Sequence, residues 1–336
     1  MIKQLCIVSI LTFILFSAAA QNPLRHWTDP IQSRYSSKQP VVNYLIRVDK
    51  NDLTVFSIEM HIRHARDTFR VAMVAHPEYD DRYWRFIEHM VVETKTGKGS
   101  VQRKDSALWQ VVAPGGELVL RYQLRLPPPD EEQRASWRPF LSARGGLTGG
   151  PHCFLYVVGS TLAPSHVTFS IPEGWKIATG LEPTPDPFTF YAPSAAVLVD
   201  CPVLIGQFTS CLFKVDGVPH QLVYYASADT IHVDTARLVH AVQKLAVECL
   251  SLFGRLPYRS YTFLFFDDAY GALEHANSVT IGAPARLLQE DFSEVLIETA
   301  HEYFHAWNLV RIRPAERTDA VTKRPNSQKD FGSVKA

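Results

Sequence analysis

The sequence predicts an α+β protein in which an N-terminal antiparallel β-sandwich precedes a part that mixes helices and strands. Two observations carry this prediction. Between residues 41 and 226, apolar side chains recur mostly at every second position, which is the period of a half-buried strand. Beyond residue 226 the apolar period lengthens to that of a helix, and turn residues separate the segments.

Apolar and polar residues alternate in three clear runs of the first part, at residues 56–62, 118–126 and 167–171. Neighbouring side chains on a strand point to opposite faces, so each run has one buried face and one wetter face. Proline and glycine clusters interrupt the runs, as expected for the short strands of a sandwich. The stretch from residue 127 to residue 150, rich in both, is predicted to be a long loop.

The second part is predicted to contain helix, strand, loop and helix in that order. Apolar residues at helical spacing over residues 238–253 predict a helix, and Gly254 follows where a helix C-terminus is expected. A short apolar strand is predicted over residues 261–266. The last helix is predicted over residues 291–310, because its first four residues resemble a capping box and Pro314 cannot continue it.

The first twenty residues have the pattern of an export signal. Lys3 precedes an apolar stretch over residues 5–16, and Ala18 and Ala20 occupy the small-residue positions before a cleavage site. The stretch is too short to span a bilayer comfortably, which favours cleavage after Ala20 over a membrane anchor. The mature protein is therefore expected to be exported, either periplasmic or secreted, with no membrane attachment after signal cleavage.

The charge balance bears on whether the protein binds nucleic acid, and the cysteine content bears on whether it forms disulfide bonds. The 34 Lys plus Arg balance 34 Asp plus Glu, so no nucleic-acid partner is expected, since such partners usually require a basic excess. Four cysteines remain after the signal, at positions 153, 201, 211 and 249. Cys201 and Cys211 flank a short apolar stretch, and a disulfide between them stays an open alternative to free thiols.

Residues 301–305 read His-Glu-Tyr-Phe-His. Residues four apart lie one above the other on a helix, so His301 and His305 can bind one Zn²⁺ from a single face. Glu302 can then accept a proton from the zinc-bound water as general base. The alternative is a chance grouping of helix histidines with a solvated glutamate. The same helix carries apolar residues that predict burial, and buried imidazoles and carboxylates need partners, which favours the zinc site.

A second motif lies upstream, where residues 270–275 read Tyr-Gly-Ala-Leu-Glu-His and follow the predicted apolar strand. Glycine lets a ligand approach the backbone closely, and a strand edge at Gly271 and Ala272 can pair with an extended peptide. Glu274 can then provide the counter-charge for a free amino terminus. Without the zinc motif downstream, this segment would be interpreted as an ordinary loop with a surface glutamate.

Together these motifs resemble the glycyl aminopeptidase family. The likeness continues through Ala-Trp-Asn after the zinc motif and through Arg-Ile-Arg-Pro at residues 311–314. It is weaker in the first part, at residues 174–181 and 198–206, and covers roughly residues 41–316. The family consists of gluzincin zinc metallopeptidases, distantly similar to the leukotriene hydrolase and aminopeptidase N group.

The resemblance implies a β-sandwich in front of a thermolysin-like catalytic domain. It implies that His301 and His305 bind zinc, that Glu302 is general base and acid, and that Glu274 meets the amino group of the substrate. It also implies removal of N-terminal residues with a preference for glycine and alanine.

The resemblance further implies a third zinc ligand, a glutamate on a second helix, and the third ligand is not found in this chain. The carboxylates downstream of the motif are Glu316, Asp319 and Asp330, and none lies in a predicted helix. The catalytic domain is therefore expected to be incomplete, truncated after the zinc-motif helix. A separate chain that supplies the missing ligand is an open alternative.

These inferences divide the chain into four predicted segments: a signal peptide at 1–20, the β-sandwich domain at 21–226, an incomplete thermolysin-like zinc peptidase domain at 227–316, and a disordered divergent tail at 317–336. The predicted function is that of an exported zinc aminopeptidase, which hydrolyses the first peptide bond of a peptide with a free N-terminus. The alternatives are an inactive peptidase fragment and a non-catalytic peptide-binding protein.

Overall fold

The computed structural model describes residues 40–74, 82–97, 99–126, 133–308 and 311–312. The predicted signal peptide and the predicted tail at 317–336 lie outside the described residues. Within the described ranges, no helix combines the length and the apolar composition needed to cross a membrane.

One layer of the first part is a seven-stranded sheet. Its strands are β1 (Val41–Asp49), β2 (Asp52–Arg63), β4 (Ile87–Thr94), β7 (Leu118–Arg125), β12 (Ser165–Ser170), β14 (Glu182–Pro183) and β15 (Thr189–Ala192). Their order across the sheet is β14-β15-β12-β1-β2-β7-β4. The pair β1 and β12 runs parallel, whereas the other neighbours in this sheet run antiparallel.

The second layer is a four-stranded sheet of β3 (Thr68–Met73), β5 (Ser100–Asp105), β6 (Leu108–Val112) and β11 (Leu155–Val157). Its order is β11-β3-β6-β5. Both sheets contribute to one apolar core that includes Ile58, Leu120 and Val71. The Tyr122 hydroxyl donates to the Cys153 carbonyl at 2.9 Å inside this core. The predicted α+β class with an N-terminal β-sandwich is thereby confirmed.

The period-two runs give the predicted strands. In β2 and β7 alternate residues are buried, and Met60 on β2 lies opposite Leu120 on β7. Because the two apolar faces coincide in this register, a slip by one residue would expose both sets of side chains.

A third sheet corrects the prediction of a long loop over residues 127–150. It contains β9 (Phe140–Leu141), β10 (Gly145–Gly149), β13 (Lys176–Thr179) and β16 (Pro202–Gly206), in the order β13-β16-β10-β9. The glycines of β10 permit unusually close pairing, since a Cβ added at Gly145 would lie 2.4 Å from the Ile205 carbonyl oxygen. A strand built from glycine therefore lacks the apolar alternation by which strands are recognised.

The sheet of the second part consists of β17 (Thr209–Val215), β18 (Val218–Tyr225), β19 (Tyr261–Phe266), β21 (Ala272–Glu274) and β22 (Ser278–Gly282), in the order β17-β18-β19-β22-β21. The strand predicted at 261–266 is its fully buried centre. β18, β19 and β22 run parallel, and β21 is an edge strand. The hairpin β17–β18 precedes the predicted boundary at 226 yet pairs with this later sheet, because strand period alone does not specify sheet membership.

The described helices are α1 (Ala195–Asp200), α2 (Thr235–Phe253), α3 (Ala285–Gln289) and α4 (Ser293–Phe304), with short 3-10 helices at Tyr83–Phe86 and Gly150–His152. In α2 the Asp234 carboxylate accepts from the Arg237 N–H at 3.0 Å, and Gly254 ends the helix with φ 75°. Leu252, which lies within the apolar run that predicted this helix, is 72% exposed. A two-stranded pair of β8 (Arg134–Ala135) and β20 (Ala269–Tyr270) joins residues far apart in sequence.

Three apolar clusters organise the interior. One fills the sandwich, a second lies between the five-stranded sheet and its helices, and a third connects the two parts through Leu147, Leu204, Val223 and Phe266. Among the described residues, neither Cys201 nor Cys211 forms a disulfide, and the same holds for the other two described cysteines. The disulfide alternative is therefore not the arrangement in this structure.

Candidate active site

Helix α4, which carries the zinc motif, packs one face on the five-stranded sheet of the second part. Val295, Thr299 and Tyr303 are its buried residues, and the Tyr303 ring meets the Tyr261 ring edge-on with centroids 4.9 Å apart. Tyr303 also shares a hydrogen bond with the Tyr258 hydroxyl, which bonds to Nε2 of His220 at 3.0 Å. This buried polar chain fixes the rotation of α4, so the opposite face presents the motif residues.

Both ends of α4 differ from the predicted bounds of 291–310. The Asp291 carboxylate accepts from the Ser293 N–H at 3.0 Å and from the Ser293 hydroxyl at 2.6 Å, so the helix begins at Ser293 instead of Asp291. At the other end, the Ala306 N–H donates to Tyr303 and the Trp307 N–H to Phe304, at 3.1 and 3.0 Å. This tighter i to i+3 pattern ends the α-helix at Phe304.

The two histidines of the motif lie together at the C-terminal end of α4. Nε2 of His301 and Nε2 of His305 are 3.3 Å apart, and the rings are nearly perpendicular with centroids 4.9 Å apart. The His301 side chain is 68% exposed, whereas His305 is half-buried. Two imidazole nitrogens at this separation can bind one cation from the solvent side.

Glu302 lies beside the histidines and is much less exposed. Its Oε1 is 3.9 Å from Nε2 of His301, and its side chain is 13% exposed. Ligand atoms of His301, Glu302 and His305 all lie within 4.8 Å of one another. Among the described residues, these three form the one group of His, Cys, Asp or Glu side chains close enough together to hold a metal ion.

Burial and neighbouring carboxylates raise the pKa of Glu302 to about 7. Burial is the largest cause, followed by the charges of Glu274 and Glu298. A hydrogen bond from the backbone N–H of Glu274 opposes this shift, and one shared with the Glu274 side chain adds to it. A carboxylate whose pKa lies near neutrality can both accept and release a proton at physiological pH.

The second motif lies on the edge strand beside α4. Glu274 is the last residue of β21 and is half-buried, whereas Ala272 is 7% exposed. Gly271 has φ 65°, and a Cβ added there would lie 3.0 Å from the Trp137 side chain. Ala272 is the first residue of this edge strand and Gly271 directly precedes it, and Glu274 contacts Glu302 from that edge.

The fold thus brings together the predicted site residues from two segments: His301 and Glu302 on α4 with His305 directly after it, and Glu274 on the edge strand. The chemistry of this donor set fits a zinc ion, because two neutral imidazoles and a nearby carboxylate are ligand types that zinc prefers. The third-ligand candidates Glu316, Asp319 and Asp330 lie outside the described residues.

Sequence reasoning missed residues around the site that the fold recruits from elsewhere. Tyr258 hydrogen-bonds to Tyr303 on the buried face of α4, and His220 hydrogen-bonds to Tyr258. Trp137 packs beside Gly271. Asp200 and Arg311 contact the turn after Glu274. Asp200 and Arg311 lie in segments that resemble the glycyl aminopeptidase family, which was a signal of their importance. No sequence pattern indicated that both contact the same turn.

The fold of this chain is shared by a solved structure. An aminopeptidase N family protein from Idiomarina loihiensis matches with a TM-score of 0.74 and 24% identity, over 84% of this chain. The chain spans 50% of the length of that structure. An M1 zinc metallopeptidase from Deinococcus radiodurans is less similar, with a TM-score of 0.48, 14% identity, and coverage of 80% of this chain and 64% of the other. A search of curated proteins found no match.

Two family models match the chain. The Peptidase M61 N-terminal domain matches residues 43–207, and the M61 glycyl aminopeptidase domain matches residues 294–331. The second match begins in α4 and extends past residue 316, where the sequence analysis ended the resemblance. Because the first match covers the sandwich and the second contains the zinc motif, the chain belongs to the M61 glycyl aminopeptidase family.

Proposed function

We propose that this chain carries the zinc-binding half of an exported aminopeptidase active site, which acts on peptides with a free N-terminus. The observation that carries the proposal is the convergence of His301, Glu302 and His305 within 4.8 Å, with Glu274 hydrogen-bonded to Glu302 from the edge strand. Membership of a metallopeptidase family supports it.

His301 and His305 are the residues that would hold the metal. When bound, zinc would polarise the substrate carbonyl and acidify a water molecule. The separation of 3.3 Å between the two Nε2 atoms leaves both nitrogens facing the same volume. A site with two protein ligands binds zinc more weakly than the usual three, so a third donor is proposed to come from outside the described residues or from a separate chain.

Glu302 moves the proton in the proposed reaction. It accepts a proton from the attacking water and delivers that proton to the nitrogen of the departing amine. Its Oε1 lies 3.9 Å from Nε2 of His301, and this proximity supports the proposal that it contacts the attacking water. Its raised pKa suits a group that is deprotonated before the reaction and protonated during it.

Glu274 provides specificity for the free amino terminus. A carboxylate at the end of an edge strand can pair with the ammonium group of a peptide whose backbone extends along Gly271 and Ala272. This arrangement limits the enzyme to the first peptide bond, since the amine and the general base lie a fixed distance apart. A preference for glycine or alanine as the first residue is proposed from the family alone.

The N-terminal pattern supports export. Lys3, the apolar stretch at 5–16, and alanines at positions 18 and 20 form the proposed signal. After cleavage the protein is proposed to act in the periplasm or outside the cell.

The test is hydrolysis of glycyl and alanyl p-nitroanilides by the purified mature chain with added Zn²⁺, beside Glu302→Gln. The expected result is turnover by the wild type and its loss in the variant, with zinc binding retained. Glu294→Gln, on the exposed first turn of α4, is the matched control. Absence of turnover in the wild type, with peptide binding retained, would support a non-catalytic peptide-binding protein instead.

A further inference from the structure

The turn between β21 and β22 is held at both backbone groups of Ala276. Oδ2 of Asp200 accepts a hydrogen bond from the Ala276 N–H at 2.8 Å. Both terminal nitrogens of Arg311 donate to the Ala276 carbonyl, each at 3.3 Å. A carboxylate therefore fixes one side of this residue, and a guanidinium fixes the other.

These two charged groups belong to different parts of the chain. Asp200 is the last residue of α1 in the first part of the chain, and Arg311 follows α4 in the second. The Asp200 side chain is 5% exposed and lies 3.4 Å from Nδ1 of His275. Burial lowers the pKa of Arg311, against the raising effect of Asp200. Groups this buried retain charge only where hydrogen bonds and opposite charges compensate desolvation.

The next residue of the turn is also tied down. The Asn277 side-chain amide donates to the Gly180 carbonyl at 2.7 Å, and the Asn277 carbonyl accepts from the Thr262 N–H at 3.1 Å. Hairpin tips at a sheet edge usually have few such contacts and are mobile. Here contacts from four separate places in the sequence, at Asp200, Arg311, Gly180 and Thr262, hold a turn of three residues.

Glu274 lies two residues before Ala276, and its backbone and carboxyl group both contact Glu302. A displacement of the turn would therefore move the proposed amine-binding group relative to the proposed base. We propose that Asp200 and Arg311 are positioning residues, which clamp Ala276 and thereby hold the Glu274 carboxylate at the distance from Glu302 that amine recognition requires. This inference rests on the proposed function.

The test compares affinity for a free amine with affinity for a blocked one. The probes are L-alaninol and N-acetyl-L-alaninol, bound to the zinc-supplemented full chain and followed by NMR titration. Neither probe contains the peptide bond that an aminopeptidase would cleave, so the readout does not require turnover. The ratio of the two dissociation constants measures amine recognition.

Asp200→Ala is expected to reduce this ratio by about tenfold, because small misplacements of a recognition group have effects of this order or larger. Asp200→Asn keeps a carbonyl acceptor for the Ala276 N–H and is expected to restore most of the preference. Arg311→Lys keeps the charge but not the two-nitrogen contact, and at least a roughly threefold loss is expected. Asp186→Ala, which removes an exposed carboxylate that accepts from the Phe188 N–H at 3.0 Å, is the control.

Each outcome decides the proposal. An unchanged ratio in folded Asp200→Ala or Arg311→Lys protein would overturn it, even if the melting temperature falls, since the contacts would then be merely structural. If Asp200→Ala does not fold, Arg311→Lys decides the question alone. A wild-type protein that binds both probes equally would remove Glu274 from amine recognition, and the proposed function and this inference would fail together.

Discussion

Glu302 lies where burial and two other carboxylates disfavour its charged form. Its pKa rises from an ordinary 4.5 to about 7 in the metal-free protein. A cation held by His301 and His305 would oppose this shift, because a nearby positive charge favours the carboxylate. The protonation state of Glu302 therefore depends both on pH and on metal binding.

This shift makes the stability of the metal-free protein depend on pH. Between pH 4.5 and about 7 the folded state keeps a proton on Glu302 that the unfolded state releases, so the free energy of unfolding falls as pH rises. Glu302→Gln removes this effect. We expect the variant to be more stable than the wild type by about 2 kcal/mol at pH 8, allowing for solvent screening, and nearly equal to it at pH 4.

Urea unfolding in the presence of EDTA at both pH values checks this expectation. Glu294→Gln, at an exposed position on the same helix, should show no such pH-dependent difference. A Glu302→Gln variant that is equally stable relative to the wild type at pH 4 and pH 8 would contradict the raised pKa.

The proposed contact of Glu274 with the substrate's amino group can be tested by removing its carboxylate. Glu274→Ala should lower kcat/KM for alanyl p-nitroanilide by at least about thirtyfold, because truncating one partner of a close charge pair costs several kcal/mol. The N-acetylated substrate should be hydrolysed slowly by wild type and variant alike. Equal losses on both substrates would assign Glu274 a role other than amine binding.

At the scale of elements, β10 shows how glycine can build a strand. A Cβ at Gly145 would lie 2.4 Å from the Ile205 carbonyl and 2.9 Å from Cα of Gly206. Both obstacles are backbone atoms, which cannot move aside without breaking the pairing of β10 with β16. Gly145→Ala is expected to reduce the free energy of unfolding by about 3 kcal/mol, the upper end for overpacking.

Gly174→Ala provides the comparison. Gly174 has φ 81° and no atom within 4 Å of the added Cβ, so its substitution costs only the strain of a positive φ, about 1 kcal/mol. Chemical denaturation of both variants tests the difference. Similar losses at the two positions would show that β10 can shift to accommodate a side chain.

Elements with a clear apolar period could be predicted from sequence. Strands β2 and β7 and helix α2 lie where alternation or helical spacing predicted them, since burial on one face selects those patterns. Strand β19 lies where a short continuous apolar run predicted it, since both of its faces are buried. β10 could not be predicted, because its signal is close backbone approach and not side-chain polarity. The end of α4 at Phe304 was also missed, since the change to i to i+3 bonding leaves no mark in residue types.

Some contacts of the candidate site could likewise be predicted from the sequence, and others could not. His301, Glu302 and His305 are four residues apart at most, so helix geometry alone brings them together. The contact between Glu302 and Glu274 required the further expectation of a family resemblance. Asp200 lies 76 residues from Ala276, and such contacts depend on how the two parts of the chain pack, which a single sequence does not specify.

At the scale of the whole molecule, the described residues belong to one compact unit. The sandwich core and the core under α4 are joined by a third apolar cluster that includes Leu204 and Phe266. The salt bridge between Arg134 and Asp268, at 2.8 Å, also links the two parts. The five-stranded sheet, whose edge strand carries Glu274, is thus joined to the first part by these contacts.

Because the clusters are continuous, we expect thermal unfolding to occur in one cooperative transition. Differential scanning calorimetry should give a van't Hoff enthalpy equal to the calorimetric enthalpy. Two resolved transitions would show that the sandwich unfolds independently and that the third cluster contributes little to coupling.

The central claim is that His301 and His305 hold a zinc ion, and zinc stoichiometry tests it most directly. The full chain, dialysed against buffered Zn²⁺, should retain about one zinc per chain by inductively coupled plasma mass spectrometry, since one pair of converging imidazoles binds one ion. His301→Ala and His305→Ala should each lose it, while His240→Ala, an exposed helix histidine, should keep it. Equal zinc content in all four proteins would contradict the claim.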